Sequence, residues 1–388
     1  MPKDKPLDYQ SEPSRDDLQL IVRKDMPFNA EPELPNLVQH YLTPTKYFFC
    51  RSHGPLPQLN DDHTISIKGI GLASEFVVSV KQLKSDFKEK TIEMAMQCAG
   101  NRRDGLHKVK FTKGVIWGPG AIGNASYTGC LLKDVLASIG IDKKLENISS
   151  LHLAFQSVEQ CEEDRCYGSS IPLSKALDEC GDVLLAYKMN GEPLTRDHGA
   201  PIRVVVPGYI GARSVKFLKS MTIQDFESES YFQRKDYKVL PNEVETEQQA
   251  ADYWHKVASI GEYNVQSYVC DPPDGMVKNY GGPIKVRGYA LSGGGRGIQR
   301  VEVSGDDGIT WTLAHFRQQP KCDTHTTNVW AWSLWEADIH VKRNTRIVCR
   351  ALDSANNIQH EHPMWNYRGV MNNSWRTFDS EKRENSNL

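Results

Sequence analysis

Long apolar runs and a strong excess of charge of one sign are both missing from this sequence. No stretch approaches the roughly 18 consecutive apolar residues of a membrane-spanning helix, and the first residues lack the apolar core of a secretory signal. The chain holds 47 Lys and Arg against 49 Asp and Glu. Without a large basic excess, nucleic acid and anionic membrane are poor candidates for the main partner. The 388 residues are enough for two or three domains with proper cores.

A disulfide framework and a zinc-ligand spacing are missing as well. The nine cysteines are odd in number and scattered, so we expect free thiols in a reducing compartment. Cys161 and Cys166 lie close together, but no CxxC or HxxxH pair supplies the further ligands that zinc requires.

Neither of the glycine-rich stretches predicts a nucleotide site. Residues 118–123 match the spacing of a dinucleotide-binding loop, but Pro119 has no N–H for a phosphate, and the helical pattern begins only near Leu131. Residues 292–297 lack the Gly-Lys-Ser/Thr ending of a phosphate-binding loop.

The order of the periodic segments predicts an α+β fold, with a mixed α/β domain followed by a β-sandwich. Residues 63–69, 76–80, 182–189 and 202–206 have the composition of strands, and 132–139 have the period of an amphipathic helix. Closely spaced strand patterns separated by Gly- and Asn-rich turns then predict an immunoglobulin-like sandwich, with strands at 284–292, 299–304, 310–316, 329–340 and 345–351. We expect an N-terminal arm at 1–27, the mixed domain at 28–241, a linker at 242–261, the sandwich at 262–378 and a tail at 379–388.

The stretch Met-Ala-Met-Gln-Cys98-Ala-Gly-Asn-Arg102-Arg103 is the most informative part of the chain. The alternation over 91–97 predicts a strand that carries Cys98 on its apolar, inward face. Neighbouring guanidinium groups favour the thiolate, which is a soft metal ligand, and they also bind oxyanions. A metal ligand and an anion site in one pocket indicate redox chemistry on a small oxyanion.

This stretch resembles the sulfite oxidase family of molybdenum-cofactor enzymes, and the resemblance extends from about residue 28 to residue 375. The other family signatures follow in order: Arg51-Ser-His53-Gly-Pro, Asn190-Gly-Glu-Pro-Leu-Thr-Arg-Asp-His198-Gly, Arg203-Val-Val-Val-Pro-Gly, Gly211-Ala-Arg213-Ser214-Val-Lys216, Lys235-Asp-Tyr237-Lys and Trp365-Asn-Tyr-Arg368-Gly-Val.

The resemblance implies that Cys98 is the only protein ligand of molybdenum and that the molybdopterin cofactor supplies the rest. It implies a substrate pocket lined by Arg51, Arg103, Trp117, Tyr237 and Arg368. It implies a pterin cradle of Phe49, Cys50, Arg51, Ser52, His53, Ser157, Val158, Glu159, His198, Arg203, Ser214, Val215 and Lys216. Glu159 departs from the family, which has Asp at this place, so the resemblance supports that contact least.

The activity implied is oxygen-atom transfer to sulfite, giving sulfate, in a homodimer that forms through the C-terminal domain. The sequence has no haem-binding His-Pro-Gly-Gly motif. We therefore expect no haem, and we expect dioxygen to take the electrons and give hydrogen peroxide. The tripeptide Ser386-Asn387-Leu388 is similar to the Ser-Lys-Leu address that the peroxisomal import receptor recognises, so we expect a peroxisomal protein, or otherwise a cytoplasmic one.

Two other interpretations remain open. The molybdenum unit of a nitrate reductase would share Cys98, Arg51 and Trp117, whereas Arg368 is typical of the sulfite enzymes. A non-catalytic interaction protein built on the sandwich explains residues 262–388 but leaves the cluster around Cys98 without a role.

Overall fold

The computed structural model describes residues 6–273, 281–320 and 328–376. Its strands are β1 (Leu20–Lys24), β2 (Asn29–Pro32), β3 (Cys50–Arg51), β4 (Thr64–Gly69), β5 (Phe76–Ser79), β6 (Glu89–Gln97), β7 (Ile122–Leu131), β8 (His152–Ser157), β9 (Gly168–Pro172), β10 (Leu184–Met189), β11 (Glu192–Pro193), β12 (Arg203–Val205), β13 (Leu218–Gln224), β14 (Gln266–Asp271), β15 (Gly282–Leu291), β16 (Ile298–Ser304), β17 (Thr312–Leu313), β18 (His315–Gln318), β19 (Ser333–Val341) and β20 (Val348–Asp353).

The helices are short. The α-helices are α1 (Leu34–Leu37), α2 (Val80–Asp86), α3 (Arg103–Val109), α4 (Leu132–Ser138), α5 (Leu173–Ala176) and α6 (Glu247–Ala251). Single turns of 3-10 helix lie at Thr45–Tyr47, Ile148–Ser150, Arg196–His198 and Gly211–Arg213, and a π-helical turn lies at Phe232–Asp236. Within the described ranges, none of the helices has the length and apolar character needed to cross a membrane.

Within the described ranges the strands form five sheets, and the predicted α+β class is confirmed. The N-terminal part contains the sheets β1-β2-β3, β11-β10-β7-β6 with β12 paired to β10, and β5-β4-β13-β8-β9. A sandwich of β14-β15-β19-β18 and β17-β16-β20 follows. The predicted elements at 63–69, 76–80, 132–139, 182–189 and 202–206 correspond to β4, β5, α4, β10 and β12. Helix α4 buries Leu132, Val135 and Leu136, as its spacing requires.

The prediction of one strand at 310–316 is wrong. The segment divides at Ala314, so that β17 pairs with β16 in one sheet, whereas β18 pairs with β19 in the other. Ala314 is buried, and its N–H donates to the carbonyl of Val301. The period of two continues through this crossing, so composition alone does not show that the chain changes sheets.

The predicted linker at 242–261 contains a helix and a buried core residue. Thr246 and Gln249 form a capping box at the start of α6, which is the Thr-x-x-Gln pattern visible in the sequence. Trp254 packs in a cluster with Leu106 and Trp365. The segment therefore joins the two parts of the molecule through packed side chains.

The chain returns from the sandwich to the N-terminal part at residues 365–373. The N–H of Met371 donates to the carbonyl of Ala99 (2.8 Å), and the N–H of Lys113 donates to the carbonyl of Tyr367 (2.9 Å). This return carries Arg368 toward the segment that contains Cys98.

Candidate active site

A cavity opens beside the end of β6, and signatures that are far apart in the sequence meet on its wall. Ten residues predicted from the sequence line it: Phe49, Arg51, His53, Cys98, Glu159, His198, Arg203, Ser214, Lys216 and Tyr237. Seven others lie on the same wall: Phe48, Met96, Ala99, Tyr167, Asp197, Gly211 and Ala212. Most of this second group were within reach of sequence reasoning because they adjoin residues of the quoted signatures. Tyr167 has no such signal.

Cys98 follows directly after β6, and its position is fixed by the strand pairing. Ile92, Met94 and Met96 are buried on the same strand, which confirms the predicted inward face. The N–H of Cys98 donates to the carbonyl of Ala121 (2.9 Å), one residue before β7. The thiol therefore lies where a rigid antiparallel pair ends at the cavity, a position suited to holding a metal in one place.

The Arg103 side chain links two backbone segments near Cys98 through hydrogen bonds. Its Nε donates to the carbonyls of Arg368 (3.1 Å) and Gly369 (3.0 Å), and its Nη1 donates to the carbonyl of Val115 (2.6 Å). A Cβ added at Gly100 would lie 2.6 Å from the guanidinium, and one added at Gly114 would lie 2.7 Å from it. Both glycines therefore allow the guanidinium to pass between two backbones. Arg103 does not line the cavity wall, and its predicted substrate contact stays a prediction.

The loop that carries Trp117 is held from the opposite side by Glu31 on β2. The Glu31 carboxylate accepts hydrogen bonds from the N–H groups of Gly118 (2.7 Å) and Gly120 (2.9 Å) and pairs with Arg23. Trp117 is fully buried, its ring meets the edge of Phe49, and its Nε1 has no hydrogen-bond partner. Trp117 does not line the cavity wall, so its predicted substrate contact stays a prediction.

Tyr237 and His53 form a polar pair on the wall. The hydroxyl of Tyr237 lies 3.0 Å from Nε2 of His53, and the His53 ring packs against Tyr167 and Phe232. Burial raises the pKa of Tyr237, although Arg51 opposes this effect. Burial, together with Arg51 and Lys216, lowers the pKa of His53 well below 6.5, so the imidazole is neutral and the phenol keeps its proton at physiological pH.

Lys216 and Glu159 link the loops of the predicted pterin cradle. Lys216 Nζ donates to the carbonyls of Arg51 (2.9 Å) and Asp197 (3.0 Å). The Glu159 carboxylate accepts from the backbone N–H groups of His53 (2.7 Å) and Gly54 (3.0 Å). Burial raises the pKa of Glu159, opposed by Lys216 and these two N–H groups. Glu159 therefore links its own loop to the backbone of residues 53 and 54.

Arg203 and His198 present unused polar atoms beside the cavity. Arg203 donates from Nη1 to the carbonyl of His198 (3.0 Å) and from Nη2 to the carbonyl of Ser214 (2.8 Å), while its Nε has no partner. His198 Nδ1 lies 2.8 Å from the hydroxyl of Thr195, and its Nε2 is buried without a partner. Burial, Lys216 and Arg203 lower the pKa of His198 to about 3.

The structure places the other predicted residues away from the wall. Cys50 packs with Phe28 and Ala30, and burial raises its pKa. Arg368 forms an ion pair with Asp236. Four further residues of the predicted pterin cradle form hydrogen bonds near the cavity but do not line it: Ser52, Ser157, Val158 and Val215. Their roles toward a cofactor stay predictions.

The charges on the wall favour an anionic ligand. Burial lowers the pKa of Lys216, against the opposing effect of Glu159, and burial also lowers the pKa of Arg203, so further negative charge in the cavity would favour both charged forms. An anion in the cavity would supply that charge. Within the described part of the chain, no group of three or more His, Cys, Asp or Glu side chains is arranged to hold a metal ion. A metal at Cys98 would therefore take its remaining ligands from a cofactor.

Comparisons with known proteins agree with this geometry. A family model described as an oxidoreductase molybdopterin-binding domain matches residues 53–232, and a Mo-co oxidoreductase dimerisation domain matches 257–380. The sulfite oxidase of Arabidopsis thaliana is 42% identical over 385 residues, covering 95% of each chain. The mitochondrial sulfite oxidase of Homo sapiens is 40% identical over 96% of this chain and 69% of its own length.

A nitrate reductase and a solved structure are more distant. Nitrate reductase [NADH] 1 of Phaseolus vulgaris is 35% identical over 90% of this chain and 41% of its own length. The crystal structure of the sulfane dehydrogenase SoxCD from Paracoccus pantotrophus superposes with a TM-score of 0.72 over 90% of this chain and 84% of that chain. At 24% identity, this likeness shows the fold alone.

Proposed function

The chain belongs to the sulfite oxidase family of molybdenum-cofactor oxidoreductases, and on this premise we propose that it oxidises sulfite to sulfate. The observation that carries the proposal is the shared wall on which the Cys98 thiol, the Arg51 guanidinium and the Tyr237 hydroxyl meet. A soft metal ligand thus lies beside groups that bind an oxyanion. The 42% identity to the Arabidopsis sulfite oxidase over nearly the whole chain supports the choice of substrate.

The residues present fit a molybdopterin. Two buried nitrogen atoms of residues on the cavity wall lack partners, namely His198 Nε2 and Arg203 Nε, and a polar pterin with a phosphate can use such groups. Cys98 would ligate the metal, while Arg203, His198 and Lys216 would hold the pterin. When bound, the cofactor supplies the oxygen-atom transfer and the two-electron redox step.

The protein's own groups would bind and orient sulfite. Arg51 keeps its charge at every physiological pH, so its planar guanidinium attracts the anionic substrate. Because this attraction is electrostatic, binding of sulfite should weaken as the salt concentration rises. Tyr237 keeps its phenolic proton because burial raises its pKa, so it can donate a hydrogen bond to a substrate oxygen. This requires the His53 tautomer in which Nε2–H donates to the Tyr237 oxygen, because the single phenolic proton then stays available for the substrate.

The finer proposal is that dioxygen is the electron acceptor. Sulfite, water and dioxygen would then give sulfate and hydrogen peroxide, one peroxide for each sulfate. The proposal rests on the resemblance and on the match over 95% of the Arabidopsis enzyme's length. A homodimer is proposed from the match of 257–380 to a dimerisation domain. Peroxisomal import stays a prediction, because Ser386-Asn387-Leu388 lies outside the described residues.

The test is sulfite-dependent oxygen uptake by molybdenum-loaded protein, with peroxide assayed in the same vessel. Cys98→Ser is the control, because sulfite also autoxidises without enzyme. Uptake matched by peroxide and absent in the control supports both proposals. Sulfate formation only with an added acceptor such as ferricyanide would retain sulfite oxidation and reject dioxygen. Molybdenum uptake without sulfite turnover would reject sulfite, and nitrate would then be tested.

A further inference from the structure

The N-terminal segment 11–15 lies directly against two loops of the cavity. The Glu12 carboxylate accepts from the backbone N–H of Leu56 (2.7 Å), just beyond the loop that contains His53. The Arg15 guanidinium donates to the Asp197 carboxylate through Nη2 (2.9 Å) and Nε (3.0 Å). One short segment therefore contacts both loops at once.

Arg196 connects the N-terminal segment and the Leu56 loop to the Arg196–His198 turn. Arg196 donates from Nη1 to the carbonyl of Ser11 (2.6 Å) and from Nη2 to the carbonyl of Leu56 (2.6 Å). The N-terminal segment, the Leu56 loop and the Arg196–His198 turn are thus joined pairwise by hydrogen bonds. Displacement of any one of the three breaks bonds to both of the others.

The Arg15–Asp197 pair is largely protected from water. The Arg15 side chain is 16% exposed and the Asp197 side chain 9%. The Arg15 guanidinium also lies 3.9 Å from the ring centroid of Phe28. A charge-assisted, two-bond contact at this depth is stronger than an exposed ion pair, and loss of one partner leaves the other charge buried.

Asp197 connects this pair to the cavity. It lines the wall itself, its carbonyl accepts from Lys216 Nζ, and the next residue is His198, whose Nε2 has no protein partner. The turn spans only Arg196–His198, so a movement of the Asp197 carboxylate also moves the His198 ring. Arg15 therefore acts on the cavity through Asp197 and His198 without touching it.

We propose that the segment 11–15 supports the cofactor site from outside the cavity and that Arg15 is a positioning residue that slows release of the cofactor. The proposal rests on the assignment of a molybdopterin to this cavity. It goes beyond that assignment because it gives the N-terminal arm, for which the sequence predicted no role, a function in retaining the cofactor.

The test compares cofactor release from loaded wild-type protein, Arg15→Ala, Arg15→Lys and Glu12→Ala. Protein is freed of unbound cofactor by gel filtration and incubated, and released pterin is followed by its fluorescence after oxidation, with molybdenum counted in the retained protein. The matched control is Lys81→Ala on α2, which removes an exposed ion pair between Lys81 and Asp62. Melting of the cofactor-free variants by circular dichroism reports folding separately.

We expect release from Arg15→Ala about 10-fold faster or more, as for loss of an outer contact that orients a ligand. Arg15→Lys should release at an intermediate rate, Glu12→Ala should also release faster, and Lys81→Ala should match the wild type. Equal release rates from all loaded proteins would overturn the proposal. A lower melting temperature of the cofactor-free Arg15→Ala protein with unchanged release would also overturn it, since the pair would then serve folding alone.

The outcomes separate this proposal from the proposed function. Faster release from Arg15→Ala in a protein that does not oxidise sulfite would support the role of the arm and reject the substrate. A wild-type protein that takes up no molybdopterin would reject both.

Discussion

The cavity wall and the core of the sandwich are both buried, but charged and polar side chains line the first, whereas apolar side chains form the second. The sandwich core is an apolar cluster that includes Val286, Val301, Trp335 and Ile339. Its buried carboxylate Asp353 accepts hydrogen bonds from Ser292, Asn357 and Ala355. The cavity wall contains the cations Arg51, Arg203 and Lys216, and two of its buried nitrogen atoms, His198 Nε2 and Arg203 Nε, have no acceptor. The sandwich thus uses its polar groups for its own stability, whereas the cavity keeps them for a ligand.

Arg51→Gln in the cavity should give the largest loss of activity, whereas a matched arginine change in the sandwich should give little. We expect kcat/KM for sulfite to fall by about 100- to 1000-fold, because removal of a preorganised donor to a developing oxyanion costs that much in other enzymes. The control is Arg350→Gln, which removes a sandwich arginine paired with Glu302 at 2.7 Å. Steady-state kinetics on equally loaded proteins measure the difference. Similar kcat/KM values in the two variants would show that Arg51 does not act on substrate.

Glu31→Gln tests whether the hydrogen bonds that hold the Trp117 loop, outside the cavity wall, also affect turnover. An amide offers only one acceptor atom, and its NH2 group would face one of the N–H groups of Gly118 and Gly120. We expect the Trp117 loop to shift and kcat/KM to fall by about 10-fold, within the range known for outer contacts. Arg23→Gln keeps both acceptors of Glu31, and it should change kcat/KM much less. Equal losses in the two variants would point to the ion pair rather than to the loop.

Sequence patterns predicted the wall better than they predicted its supports. The alternation in β6 gave the inward face of Cys98, and the family signatures gave Arg51, His198 and Lys216. Periodicity and signatures describe a residue and its near neighbours, so they do not identify partners that are distant in the chain. Arg15 and Asp197 are 182 positions apart, and their contact follows only from the folded loops. The same limit hides the change of sheet at Ala314.

Arg368 shows a further limit of the sequence. A signature assigns the residue to a substrate pocket, but the direction of its guanidinium depends on the nearest carboxylate in the fold. Here that carboxylate is Asp236, in the π-helical turn before Tyr237. The assignment of Arg368 to the pocket already implied that its segment reaches the N-terminal part, and residues 365–373 do return there.

Between pH 5 and pH 7, the stability of the cofactor-free protein should depend on pH through a buried histidine of the cavity. The pKa of His198 is lowered to about 3 in the folded state, whereas an unfolded histidine titrates near 6.5. The unfolded chain therefore binds more protons below pH 6.5, so stability is complete above that pH and is lost as pH falls toward 3. Each such histidine contributes a slope of up to about 1.4 kcal/mol per pH unit.

His198→Gln should flatten this slope by the contribution of one histidine. Urea unfolding of the cofactor-free protein at pH 5, 6 and 7 measures it. His362→Gln, a change at an exposed side chain outside the cavity, provides the control. An unaltered slope in His198→Gln would mean that the ring is hydrated in the folded protein.

Asp306→Asn should have the smallest effect and should alter stability without altering catalysis. The Asp306 carboxylate accepts from the N–H and hydroxyl of Thr310, the hydroxyl of Ser304 and the ammonium of Lys342. The Thr310 N–H is the main cause of a pKa well below the usual range, aided by the side chains of Lys342 and Ser304. The stabilisation is therefore complete above the unfolded pKa near 4 and is lost as pH falls below it.

For Asp306→Asn we expect a loss of about 1.5 kcal/mol in the free energy of unfolding at pH 7, because hydrogen bonds to a charged group are replaced by bonds to a neutral amide. The difference from wild type should shrink below pH 4 in thermal unfolding, while kcat/KM for sulfite stays the same. A fall in kcat/KM would show that the sandwich and the cavity are coupled, and the separation of roles between them would then fail.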